Sequence, residues 1–156
     1  MGDYQRSTRE CNFNQLRPEI QTALFTYIEK HELGEISNDI QLCWETTSEK
    51  KKKGLFGSLL GSDPDPYHVI GIILTSHLLF WIRYGPKSGS VVSFARLKDI
   101  TIRDFSYDQV DDTGIEVFGW INYFPERATA LIGLGKEMAA DQLRASLKEA
   151  VNRVNH

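Results

Sequence analysis

The final half of the chain constrains the fold more than any other stretch, because short strand-like runs give way there to one long amphipathic helix. From Glu137 onward the apolar residues are Ala139, Ala140, Leu143, Leu147, Ala150, Val151 and Val154, a three-and-four spacing that draws one continuous stripe. Glu137 and Asp141 fall in the first turns and Lys148 and Arg153 near the end, the order that complements a helix dipole. Gly133 and Gly135 punctuate the entry. Such a helix has to lay its stripe on something, and after a series of strands the available surface is the face or open end of a sheet. It is expected to act as a plug or a cover.

With 156 residues, 41% of them hydrophobic, the chain fits a single domain with a sizeable core. The formal net charge of −3 disfavours general nucleic-acid binding, which needs a basic stripe. Cys11 and Cys43 are too few for a disulfide framework, and the N-terminus lacks the basic-then-apolar order of a secretory signal. A cytoplasmic location is expected, with a peripheral position at a membrane surface as its variant. The longest apolar run, Val69 to Trp81, is interrupted by Gly71, Thr75, Ser76 and His77 and falls short of the roughly 20 residues a spanning helix requires.

Residues 1–13 read as a flexible leader, polar and without either period. Residues 14–35 read as an N-terminal helix unit: Leu16, Ile20, Ala23, Leu24, Tyr27 and Ile28 recur at helical spacing over about 16–32, with Asn14 as cap, Pro18 in the first turns and Gly34 as stop. The period then becomes two, with Ile40, Leu42 and Trp44 alternating against Gln41, Cys43 and Glu45, so Cys43 faces away from its neighbours. Further strands are expected over Tyr67–Thr75, Leu78–Tyr84, Ser90–Leu97, Ile100–Tyr107, Gly114–Ile121 and Ala128–Leu134, with a tight hairpin at Thr75, Ser76 and His77. Several are apolar on both faces: Leu79 and Trp81 oppose Leu78, Phe80 and Ile82, and Phe118 and Trp120 oppose Ile115, Val117 and Ile121. Either the two helices cover the second face or it is a self-association patch.

Seven strands followed by a C-terminal helix resemble the pleckstrin-homology-like superfold, in particular the bacterial PH and GRAM-type domains. The residues that carry the likeness are Ile72 to Phe80, similar to that family's strand, turn and strand, and Val92 to Ile100, similar to its link between two sheets. The resemblance covers residues 36–156. It implies an α+β fold, a seven-stranded antiparallel PH-like barrel of two orthogonal sheets with a C-terminal helix and an added N-terminal one. It also implies a scaffold whose loops bind lipid headgroups or peptides, without chemistry, and does not name the ligand.

The loop over 48–66 carries the functional expectation. Lys50, Lys51, Lys52 and Lys53 precede Leu55, Phe56, Leu59 and Leu60, joining attraction to an anionic surface with insertion of apolar side chains. At about 1 kcal/mol per lysine near an anionic bilayer and ~1.5 kcal/mol per large apolar side chain buried, the gross gain is on the order of 10 kcal/mol. Ordering a glycine-rich loop offsets roughly 1–2 kcal/mol per residue fixed, which leaves a weak, salt-sensitive association. Two other readings stand beside it: the four apolar residues fold back onto the domain, or they dock a protein partner. A nucleic-acid patch is disfavoured, since no aromatics interleave with the lysines and Asp63 and Asp65 follow.

Catalytic and metal motifs are weak. Gly133-Leu134-Gly135 lacks the third glycine of a dinucleotide fingerprint, and His31-Glu32 lacks the second histidine of a zinc helix. His68 and His77 read as edge residues, and nothing near Cys43 in sequence would depress its pKa. The expectation is a non-enzymatic binding module without cofactor or metal, recognising an anionic membrane surface or a protein partner through the 48–66 loop. The competing class is an assembly domain that forms a homo-oligomer through apolar strand faces.

Overall fold

The computed structural model describes residues 4–51, 64–107 and 112–156. They form β1 (Tyr4–Cys11), α1 (Pro18–Lys30), β2 (Ile40–Lys50), β3 (Tyr67–Thr75), β4 (Leu78–Gly85), β5 (Gly89–Tyr107), β6 (Asp112–Ile121), β7 (Ala128–Gly133) and α2 (Met138–Asn155). The strands make one seven-stranded sheet in the order β1 to β7, every neighbouring pair antiparallel, with β1 and β7 as its unpaired edges. The class is α+β. Among the described residues no backbone pairing closes the sheet.

Two expected boundaries are corrected. Residues 4–11 are not a leader but an edge strand, paired with β2 from Tyr4↔Lys50 to Cys11↔Cys43. Their inward side chains are polar, so no hydrophobic period betrays the strand: Thr8 is buried and its hydroxyl meets that of Thr46 at 2.9 Å. The runs expected as a fourth and a fifth strand form one strand, β5, whose pairing shifts between Ala95 and Ile100. A bulge of this kind bends a strand without ending it.

Helices cover both faces of β3 and β4, whereas the outer face of β6 keeps Trp120 exposed. The α2 stripe buries Ala140, Leu143, Leu147, Ala150 and Val151 against Leu79, Trp81, Ile72, Ile115, Val117 and their neighbours. Each buried leucine contributes about 1.5–3 kcal/mol. The other face of β3 and β4, with Ile73, Phe80 and Ile82, packs under Leu16, Ile20, Leu24 and Ile28 of α1 and the segment leading into it. Cys43 joins this second cluster while Leu42 and Trp44 face the first, as the alternation requires.

The closeness of α1 depends on Gly71, where an added Cβ would lie 2.5 Å from Ile20 Cγ2. Its first turn is capped from another strand. Arg17 N–H donates to Glu45 Oε2 at 2.9 Å, which sets a carboxylate at the positive end of the helix. Asn14 does not cap it; that residue lies in a separate 3₁₀ turn over Phe13–Gln15. Beyond α1, Gly34 takes φ +82°, the left-handed conformation that ends the unit.

Candidate cationic docking site

The loop expected to carry function leaves the sheet at the end where β2 stops and β3 begins. Glu49 pairs with Tyr67, and Lys50 N–H donates to Pro66 O at 3.1 Å, so the two strands stay together to the base of the loop. Lys50 is half-buried and Lys51 exposed. Lys52, Lys53, Leu55, Phe56, Leu59 and Leu60 lie outside the described residues.

The far side of the loop base is fixed by Asp65. Its carboxylate is buried and accepts the N–H of Lys87 (2.6 Å), the N–H of Ser88 (3.3 Å) and the Ser88 hydroxyl, tying the return of the chain to the β4–β5 turn. The missing side chain of Gly85 makes the room, since a Cβ there would lie 2.1 Å from Asp65 Oδ2. Asp65→Ala removes three hydrogen bonds to one buried carboxylate. It is expected to lower unfolding free energy by about 2–4 kcal/mol, read from the urea midpoint.

Beside that base the start of β1 meets the β7–α2 link. Arg6 Nη1 pairs with Asp112 Oδ1 at the start of β6, and Arg6 Nε donates to Ser48 Oγ at 3.2 Å. Burial pulls the guanidinium down from its ordinary pKa, an effect partly offset by Tyr4. Gly135 N–H donates to Thr8 Oγ1 at 2.9 Å, and Thr8 N–H donates to Glu137 Oε2 at 3.1 Å. These bonds tie edge strand β1 to the β7–α2 link. Glu137 is the N-cap residue of α2, but its carboxylate serves β1 rather than its own helix.

A groove of about 380 Å³ lies along this junction, with Tyr4, Arg6, Lys51, Thr113, Lys136 and Glu137 among its walls. Among the described residues, three cations and one carboxylate line it. Arg6 is held by Asp112, while Lys51 and Lys136 are exposed. Lys87 lies at the same end of the sheet, on the β4–β5 turn. The arrangement suits an anionic surface or group.

Only Lys50 and Lys51 of the expected set can be located at this site; Arg6 and Lys136 were not anticipated. Arg6 sits in the segment read as a leader, and the strand-to-helix turn at Gly133 to Gly135 puts Lys136 beside it. No linear signal joins residues so far apart in sequence.

The remaining candidates have structural surroundings. His68 lies in the interior strand β3, buried, with its ring 5.1 Å from Tyr4. His31 caps α1 between Tyr27 and Tyr123, at 4.2 and 5.4 Å. Among the described residues no three His, Cys, Asp or Glu side chains converge as a metal site, and no helix is long and apolar enough to cross a membrane. Comparison with protein-family models, curated proteins and solved structures finds nothing that matches this chain.

Proposed function

We infer that the chain is a non-enzymatic binding module of the pleckstrin-homology-like kind, which docks on an anionic membrane surface through the end of the sheet bearing the 48–66 loop. The observation that carries this reading is the gathering of Arg6, Lys51 and Lys136 around one groove at the root of the lysine run. The run then extends a cationic face instead of standing alone. In this reading the two halves of the sheet, joined by the bulged β5, are the orthogonal layers of a barrel. The core that α2 shares with β2 to β7 supports this, as do the Thr8 bonds from β1 to the link that follows β7. With both faces of β3 and β4 filled from within, binding falls to the ends of the strands.

The test is co-sedimentation with liposomes at low salt. Vesicles rich in acidic phospholipid are expected to carry the protein down, neutral vesicles to leave it in solution, and added salt to release it as screening shortens to about 10 Å at 0.1 M. Equal recovery with both vesicle types, or none with either, overturns the reading.

A second reading, self-association, is favoured by one observation. On the outer face of β6 and β7, Trp120 is 43% exposed and Leu131 44% exposed, uncovered by either helix. Light scattering across concentration separates the two: a strict monomer removes the assembly reading, and a dimer dispersed by Trp120→Lys supports it.

A further inference from the structure

Cys11 ends β1, Cys43 lies in β2, and the register sets them directly opposite one another as free thiols. Directly opposed residues of an antiparallel pair share a face and hold their Cα atoms about 4.5–5.5 Å apart. That lies within the roughly 4.4–6.8 Å that disulfides span. Their Cβ atoms, about 4.5–5.5 Å apart in such pairs, need to close by about 1 Å to reach disulfide geometry. An edge strand can supply that movement, because β1 pairs with a strand on one side only and Cys11 is its last residue.

Access to the two sulfurs is graded. Cys43 is 2% exposed, packed under α1 with Ile73 and Phe80. Cys11 is half-buried and opens on a groove of about 250 Å³ walled by Asn12, Phe13, Ser37 and Ile40. A small reagent can reach the first thiol, and the second is reached through the first.

We propose that Cys11 and Cys43 are a redox couple that a low-molecular-weight disulfide closes into a cross-strand disulfide. The Cys11 thiolate attacks one sulfur of the reagent, forming a mixed disulfide and expelling one small thiolate. Cys43 loses its proton to solvent and attacks the Cys11 sulfur, expelling the second small thiolate. Two protein thiols are oxidised to one disulfide, and the reagent is reduced to two thiols that take up the two protons. Burial raises both groups, Cys43 to about 12, with Glu10 and Glu45 adding to the rise at Cys11 and Arg9 opposing it. Exchange is therefore slow at neutral pH and begins at Cys11. The new bond clamps β1, the strand that carries Arg6 and Thr8 to the cationic groove.

The experiment uses oxidised glutathione on the intact protein, followed by mass measurement, thiol titration and thermal unfolding. The expected product is a monomer lighter by about 2 Da with no free thiol. Closing a loop of about 30 residues raises its Tm by roughly 10 °C, and reductant reverses the shift. Cys11→Ser, at the half-buried position, is expected to keep the parent circular dichroism and to abolish the product. A stable glutathione adduct on Cys11, a disulfide-linked dimer, or two thiols left unreacted overturns the proposal.

Discussion

Alanine at Lys50, Lys51, Lys52 and Lys53 together is expected to release the protein from acidic liposomes, lowering its partition coefficient by roughly 10²- to 10³-fold. The figure follows from about 1 kcal/mol per lysine near an anionic bilayer, so four of them cost about 3–4 kcal/mol. The pair Lys51→Ala and Lys136→Ala separates the groove from the run. Both side chains are exposed at the groove wall, and losing them is expected to cost about 2 kcal/mol, roughly 30-fold in partition. Circular dichroism of both variants checks that the fold is retained. If the fourfold variant sediments like the parent, the lysines do not face the membrane. If the pair has no effect while the fourfold variant is released, the run acts without the groove. Arg6 is a poorer probe, since its loss leaves the buried Asp112 carboxylate unpaired and lowers stability as well as charge.

The largest stability effect is expected at Gly119. Its φ is +144°, and a Cβ there would lie 2.2 Å from Asp99 O and 2.9 Å from Ile100 Cα. Both opposing atoms belong to the backbone of β5 where its pairing shifts, so neither can rotate aside. Gly119→Ala combines backbone strain with that collision and is expected to cost about 3–5 kcal/mol, lowering Tm by roughly 10 °C or more in thermal denaturation. Gly34→Ala is the control. That glycine also has a positive φ, +82°, but nothing lies within 4 Å of its would-be Cβ, so strain alone applies and the expected cost is about 1 kcal/mol. Equal melting of the two variants would remove close backbone approach at the bend as an explanation.

Where hydrophobic period and turn residues coincided, the reading of the chain held closely. The α2 stripe, the β3–β4 hairpin across Thr75 to His77, and the opposite facing of Cys43 and Trp44 were all legible, because each depends on spacing within one element. Two strands departed from that reading, each for its own reason. β1 sets Arg6 and Thr8 against Ser48 and Thr46, so its inward side chains are satisfied by hydrogen bonds and leave no apolar alternation. Lys98-Asp99 reads as a polar break between strands, yet β5 passes through it because the bulge bends the strand while keeping it in the sheet.

The candidate site was half legible. A run of lysines is visible in any sequence, and Lys50 and Lys51 stand where β2 ends. Their neighbours Arg6 and Lys136 come from edge strand β1 and the β7–α2 link, and Asp112 and Glu137 hold that junction across more than half the chain.

By itself the sequence determined the kind and order of most elements, since period, caps and glycines act over one or two turns of chain. Tertiary structure alone decided which strand became the edge, which faces the two helices sealed, and that Cys11 would stand opposite Cys43. Those outcomes depend on strand register and on competition between distant surfaces for burial, and a local pattern carries no record of either.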